Sequence, residues 1–274
     1  MADSLRQPQD LPLSLTDALA AVDRSIDPVP VVSINLPHAV GLTLAADAVA
    51  EGTKLRLAGA RLRWVDIAQL AGAGVETIGV RVPRFLIVGS DAVPVSTLAV
   101  IKGAVEGEGG NAMETANQLG AASKKDDFDA AIVFADQDAP HRFDQTVQIA
   151  FDGVALSPGG GIAFGHANGR PILRLPSRFN EALAGWLAIG RRLLARLAFR
   201  LIEEQPYLLE LARPVPSTRG VAEIIAVRRR AAQLEPLLGD WTPETMARAD
   251  GWILIQADSE GLAAGARVQM RPWP

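Results

Sequence analysis

The spacing of apolar positions changes twice along the chain, and the two changes divide it into three stretches. Leu15, Ala18, Leu19 and Val22 recur at helical spacing. Ser14 stands just before them, where its hydroxyl can accept from the free N–H groups of a first turn. Pro28 and Pro30 stop that helix. Val31 to Val49 reads as extended segments broken at Pro37 and Gly41, and Glu51-Gly52-Thr53 turns the chain into the alternating segment Lys54-Leu55-Arg56-Leu57. A second helix is expected from Asp66 to Gly72, ended by Gly74.

From Arg84 the alternation gives way to continuous apolar runs at Phe85–Val88, Ala130–Phe134 and Pro171–Leu175, the pattern of strands covered on both faces. Helix-compatible stretches, Thr97–Val105 and Asn111–Leu119, lie between them, and a long helix follows from Asn180, its most apolar part running from Glu181 to Glu204. Strands alternating with helices predict an α/β fold with a doubly wound, mainly parallel sheet, whose ligands bind outside the carboxyl ends of the strands. After Pro206 the segments Ala222–Val227, Trp252–Gln256 and Arg267–Arg271 are short strand candidates separated by turns. The expected organisation is a mobile tail over 1–12, an N-terminal α+β extended region over 13–83, an α/β domain over 84–205 and a small β-rich C-terminal module over 206–274.

Composition narrows the function. Across 274 residues the formal net charge is −4, so no global field holds a polyanion and nucleic acid is not an expected partner. The first ten residues lack the basic and apolar parts of a signal peptide, and no apolar run is long enough to span a bilayer, which together predict a cytoplasmic protein. Without cysteine there are no disulfides, thiolate ligands or thiol nucleophiles. His38, His141 and His166 are scattered, so no metal held by the protein's own side chains is expected.

One stretch has the makings of an anion site. In Ser157-Pro158-Gly159-Gly160-Gly161, consecutive glycines let backbone N–H groups converge with no side chain blocking a phosphate. The plainer reading is a tight turn before Ile162-Ala163-Phe164. Asp136, Asp138 and Asp144 could be taken for a magnesium cluster, but an Asp-rich loop after a strand is better read as a solvated turn, so a magnesium requirement is not expected. Arg192, Arg196 and Arg200 fall on one helix face, read here as a solvated side rather than a dock for an acidic partner.

Three stretches, in order, resemble the molybdopterin molybdenumtransferase (MoeA) family. Ala39-Val40-Gly41-Leu42-Thr43-Leu44-Ala45-Ala46-Asp47-Ala48-Val49 is similar to its A-x-G-R-x-L-A-x-D-V strand, with Leu42 in place of the Arg. Asp66-Ile67-Ala68-Gln69-Leu70-Ala71-Gly72-Ala73-Gly74 resembles its D-I-x-x-L-A-x-x-G helix. Ser157–Gly165 resembles its K-P-G-K-P-x-x-F-G loop, and Arg174-Leu175-Pro176-Ser177-Arg178-Phe179-Asn180 stands where G-L-P-G-N-P-V would follow. The resemblance implies molybdopterin or adenylyl-molybdopterin as the bound ligand, a homodimer, and service to a molybdoenzyme. It carries ligand-binding roles onto Ser90 and Asp91, which remain of the family's S-T-G-D-E, onto Asp144 of its Asp-Tyr-Thr triplet, and onto Ser157, Pro158, Gly159, Gly160, Gly161, Arg174, Ser177 and Arg178.

The departures are chemical. Both loop lysines are gone, the Gly-rich loop after the second strand has become Ala135-Asp136-Gln137-Asp138-Ala139-Pro140, and Ala50 runs straight into Glu51-Gly52-Thr53 where the family carries an inserted domain. Joining molybdate to a phosphorylated pterin concentrates negative charge, and losing one preorganised charge-stabilising donor costs ~10²-fold or more in rate. The expectation is therefore a MoeA-like protein that binds or delivers the cofactor without full metal insertion. The alternatives are a divergent transferase using Arg174, Arg178 and Asp144, and a non-catalytic interaction scaffold for a molybdoenzyme.

Overall fold

The computed structural model describes residues 12–50, 52–115, 128–135, 147–201, 207–239 and 241–273. Helix α1 (Leu15–Ser25) starts as its sequence predicts: the Ser14 hydroxyl accepts from the Asp17 N–H at 3.1 Å. Its buried residues, Ala18 and Val22, belong to the same core as the large sheet described below.

The rest of the N-terminal region has a small core of its own, built from Leu36, Ala39, Leu44, Leu62, Leu70, Ile78 and Val80. Strands β1 (Val32–Asn35), β2 (Thr43–Leu44) and β5 (Thr77–Arg81) form an antiparallel sheet in the order β1-β5-β2. Between them, β3 (Ala48–Ala50) and β4 (Thr53–Arg56) pair as a hairpin in which Ala50 opposes Thr53. The chain thus reverses at once where the family resemblance would place an inserted domain.

Helix α2 (Trp64–Gly72) is held at its start by Asp66, which is 4% exposed. Asp66 accepts from the Arg63 N–H at 2.8 Å and from Arg63 Nη2 at 3.0 Å, with Arg56 Nη2 at 3.2 Å. The Arg63 side-chain hydrogen bond is the main cause that holds this carboxyl below its ordinary range. A depressed pKa stabilises the fold fully above the unfolded value of about 3.9 and loses that contribution as pH falls through the lower folded value. Asp66→Asn should therefore destabilise the protein by about 1–2 kcal/mol at neutral pH, a figure kept low because Arg63 is well exposed. Urea unfolding at neutral pH and below pH ~4 checks it: the gap between variant and parent should shrink in acid.

The central sheet has six strands in the order β7-β6-β8-β12-β11-β9. Strands β6 (Arg84–Val88), β7 (Asn111–Thr115), β8 (Ala130–Ala135) and β12 (Arg170–Pro176) are parallel, whereas β9 (Gln148–Asp152) and β11 (Ala163–Ala167) add an antiparallel edge. The predicted helix at Asn111–Leu119 is corrected over its described part: Asn111–Thr115 pairs residue for residue with Arg84–Val88. Ala, Met and Glu favour a helix locally, but the backbone groups of β6 need a neighbour on that side, and tertiary pairing prevails.

Helix α3 (Val95–Gly107) and a longer helical run cover one face of this sheet. That run is α4 (Phe179–Gly185), a π turn (Trp186–Gly190) and α5 (Arg191–Leu197), ending short of the predicted Glu204 as Phe199 takes a positive φ of 54°. Phe85, Ile87, Ile132, Leu173 and Leu175 meet these helices, and Trp186, wholly buried, packs edge-on to Phe85 at 6.0 Å. The opposite face carries Leu86, Ala131 and Ile172, and among the described residues no helix covers it. The sheet is thus mixed α/β with its described helices on one side. Arg192 and Arg196 turn toward α1, where Asp23 lies 2.6 and 3.9 Å away.

The chain then forms β10 (Leu156–Ser157), ahead of β11, and a C-terminal barrel. Strands β13 (Tyr207–Leu211), β15 (Ala222–Arg230), β16 (Gln233–Pro236), β17 (Gly251–Ile255) and β19 (Arg267–Pro272) close on themselves, since β17 pairs with both β15 and β19. The short ribbon β14 (Val215–Pro216) with β18 (Gly261–Leu262) and the one-turn helix α6 (Pro243–Met246) complete this module. Leu156 and Ser157 of β10 run parallel to Ala222 and Glu223 of β15, which fastens the barrel to the α/β layer. No described helix is long and apolar enough to cross a membrane.

Candidate ligand-binding cleft

Because β7, β6, β8 and β12 are parallel, their carboxyl ends share one edge. Strands β6 and β12 are separated only by β8, so their exits lie about 10 Å apart. Gly89-Ser90-Asp91 leaves β6 there, Thr115 ends β7, and Ser177 follows β12. The Gly89 N–H donates to the Thr115 carbonyl at 2.9 Å, and the Val93 N–H to that of Ser90 at 3.0 Å. A cavity of about 240 Å³ opens here, lined by Gly89, Ser90, Asp91, Leu98, Glu114 and Thr115.

Helix α3 begins at this edge with no side-chain cap, leaving its first N–H groups available. The buried Thr97 hydroxyl donates to the Ser177 carbonyl at 3.0 Å and so ties the first turn of α3 to the exit of β12. Lys102 and Glu114 meet at 3.0 Å, and this hydrogen bond raises the Lys102 pKa above its usual value. Both side chains are well exposed.

The glycine loop sits beside this edge. A Cβ on Gly159, whose φ is +111°, would lie 3.3 Å from the Glu181 carbonyl oxygen and 3.5 Å from the Gly185 nitrogen, so the loop presses directly on α4. A Cβ on Gly161 would lie 3.5 Å from Pro176, next to Ser177. The loop is braced from within, the Gly160 carbonyl accepting from the Val154 N–H at 3.0 Å. Gly160 and Gly161 are exposed, and among the described residues no backbone carbonyl accepts from the N–H groups of Gly159, Gly160 or Gly161.

The residues singled out in the sequence therefore divide. Gly161, Ser177 and Arg178 lie at the exit of β12 and Gly159 against the first turn of α4, with Ser157, Pro158 and Gly160 in the same loop, while Ser90 and Asp91 stand two strands away on the same edge. Arg178, mostly exposed, precedes α4 with Glu181 4.0 Å away. Arg174 turns elsewhere: it is 4% exposed and forms an ion pair with Asp152 of β9 across the small Ala163 of β11. The structure thus gives Arg174 a carboxylate partner within the sheet. Asp144, with Asp136 and Asp138, lies outside the described residues. Thr97, Lys102, Glu114 and Thr115 join the cleft without having been singled out, the last two because Asn111–Leu119 reads as a helix when taken alone.

No protein-family model matches the chain, and no curated protein matches it by sequence. Solved structures do. A molybdenum cofactor biosynthesis protein from Pyrococcus furiosus superposes with a TM-score of 0.81 at 18% identity, covering 96% of this chain and 100% of its own. A molybdopterin biosynthesis moeA protein from Pyrococcus horikoshii gives 0.82 at 14% identity over the same shares, and another structure of a protein so described gives 0.79 at 15%. The class is thus an α/β layer joined to a β-barrel, and the particular fold is that of the MoeA proteins.

Proposed function

We propose that this chain is a MoeA-like protein of the molybdenum-cofactor pathway that binds molybdopterin, or its adenylylated form, at the carboxyl edge of its parallel sheet. The observation that carries this reading is the exposed Gly160-Gly161 loop, whose N–H groups meet no backbone acceptor among the described residues, seated beside Pro176 and Ser177 at the exit of β12. Such a loop accepts a phosphate through backbone dipoles alone, and the uncapped start of α3 adds N–H groups on the same edge. The pterin body would lie toward Ser90, Thr115 and Leu98.

Among its described residues the same site offers few of the cations that metal insertion calls for, with the exposed Arg178 at its margin. The two loop lysines of the resemblance are absent, Arg174 is spent on Asp152, and Lys102 is engaged by Glu114. Binding and delivery of the finished or unfinished cofactor to a molybdoenzyme therefore fits better than insertion. A homodimer, a cytoplasmic location and a helical layer on the second face of the sheet belong to this reading as expectations.

Titration of the purified protein with molybdopterin and with adenylyl-molybdopterin tests it, with Gly160→Asp as the control. Gly160 lies outside the left-handed region, and its Cβ would meet only the Leu156 and Val154 carbonyls at 3.5 Å, so the variant should fold. Its carboxylate would repel the phosphate. Saturable binding in the parent that is lost in Gly160→Asp is the expected result. No binding up to about 1 mM, a free energy weaker than ~4 kcal/mol, would sink the proposal.

A further inference from the structure

Away from that cleft, a cavity of about 320 Å³ opens between α3, α4 and the barrel module. Gly103 and Ala104 of α3 form one wall, and Leu183 of α4 and Trp186 of the π turn form the floor. Met246 of α6 and Trp273, just past β19, close the far side. The Trp273 indole is fixed there, its N–H donating to the Ala249 carbonyl at 2.8 Å. None of the lining residues lines the cavity at the strand exits.

Two features mark this cavity as a site for something the chain does not itself supply. Gly103 stands inside α3, where glycine weakens a helix relative to alanine. A Cβ there would meet no other part of the chain within 4 Å, whereas one on Gly190 would stand 2.3 Å from Trp186 and one on Gly185 2.8 Å from Leu175. Packing among the described residues thus calls for glycine at 185 and 190 but not at 103, where the space goes to the cavity. The second feature is Trp186 Nε1, which is buried and has no hydrogen-bond partner among the described residues. The ring sets Cε3 and Cζ3 against Gly190, so its pyrrole side, which carries Nε1, is turned away from that glycine. A buried N–H left without an acceptor costs free energy, which an acceptor brought in by a ligand recovers.

The lining decides the class of ligand. It holds two tryptophans and no charged side chain, so a charge entering it would lose water and find no partner. The volume is that of a small-molecule site, at the boundary between structural units where such sites occur. We propose that this cavity binds a small neutral aromatic molecule with one hydrogen-bond acceptor. Its rings lie between Gly103 and Trp273, and its acceptor takes the Trp186 N–H. The inference does not rest on the pterin reading.

The test titrates the full chain with three naphthalene probes of nearly equal shape. The neutral ketone 6-propionyl-2-(dimethylamino)naphthalene should bind saturably, one to one, with blue-shifted emission. The 6-propyl compound, which lacks the acceptor, should bind about fivefold more weakly. Anionic 6-(dimethylamino)-2-naphthoate should bind at least about tenfold more weakly. Gly103→Leu fills the cavity with a residue that favours a helix, and should weaken ketone binding about tenfold or more. Gly103→Ala also favours the helix but adds only a methyl group, and should bind within about twofold of the parent. Near-ultraviolet circular dichroism establishes that each variant is folded. The proposal is overturned if the ketone does not bind below about 1 mM, or if either other probe binds as tightly. It is equally overturned if folded Gly103→Leu binds the ketone like the parent, or if Gly103→Ala loses as much as Gly103→Leu. Should Gly103→Leu not fold, Trp273→Ala, which removes the opposite wall, takes its place: binding like the parent's overturns the proposal.

Discussion

Glu108→Ala is expected to destabilise the protein by about 3–5 kcal/mol, the range found when one partner of a buried ion pair is removed. Glu108 is 1% exposed at the C-terminal end of α3. It accepts from Arg191 Nε at 2.9 Å and from Arg200 Nη2 at 2.5 Å, while its carbonyl accepts from Arg200 Nη1 at 3.0 Å. Both arginines are largely buried, so removing the carboxylate leaves two guanidiniums with little water to solvate them. The adjoining Gly107 carbonyl accepts from Arg61, which also donates to the Gly41 carbonyl. One carboxylate thus organises contacts among the N-terminal sheet, α3 and the end of α5. Chemical denaturation should show the loss as a lower midpoint with an unchanged slope; a loss under about 1 kcal/mol would mean that water reaches the arginines.

Trp186→Ala should cost a similar ~3–5 kcal/mol, here through a cavity rather than a stranded charge. Trp186 is fully buried, with its ring edge against Phe85. The π turn is built around it: a Cβ on Gly190 would stand 2.3 Å from Trp186 Cε3. The ring therefore lies flat over Gly190, and only glycine leaves room. Gly190→Ala should be destabilising in its own right by roughly 1–3 kcal/mol through overpacking. Pairing it with Trp186→Ala should recover part of that loss, because the clash disappears with the ring. A double-mutant cycle by thermal unfolding measures the coupling, and purely additive losses would count against this packing.

Trp186 also connects the core to the candidate site. The same helical run lies against the glycine loop at Glu181 and Gly185 and continues into Arg191 and Arg192, which pair with Glu108 and Asp23. Side chains that fix the π turn therefore fix the seat of the proposed anion nest at one end and the ion pairs of Arg191 and Arg192 at the other.

Much of this architecture could be read from local pattern. Ser14 as a helix start, the apolar runs at Phe85–Val88, Ala130–Phe134 and Pro171–Leu175, and the strands at Ala222, Trp252 and Arg267 all appear where expected. The antiparallel edge strands β9 and β11 were not legible, since Gln148–Asp152 and Ala163–Ala167 carry no strong alternation. The candidate site was legible at its glycine loop, because three successive glycines leave a backbone signature. Its other half was hidden, because Glu114 and Thr115 come to the strand edge only through pairing with β6.

The sequence by itself determined which segments are strands or helices where period and capping agree, since those depend on neighbours within one or two turns of chain. It also determined that the loop lysines are absent and that glycines stand in the loop. Only the tertiary structure decided that Asn111–Thr115 is a strand, that Arg174 serves Asp152, and that Arg192 finds Asp23. A side chain's partner depends on which distant backbone lies beside it, and that is settled by the burial of apolar faces and the pairing of backbone groups across the whole chain.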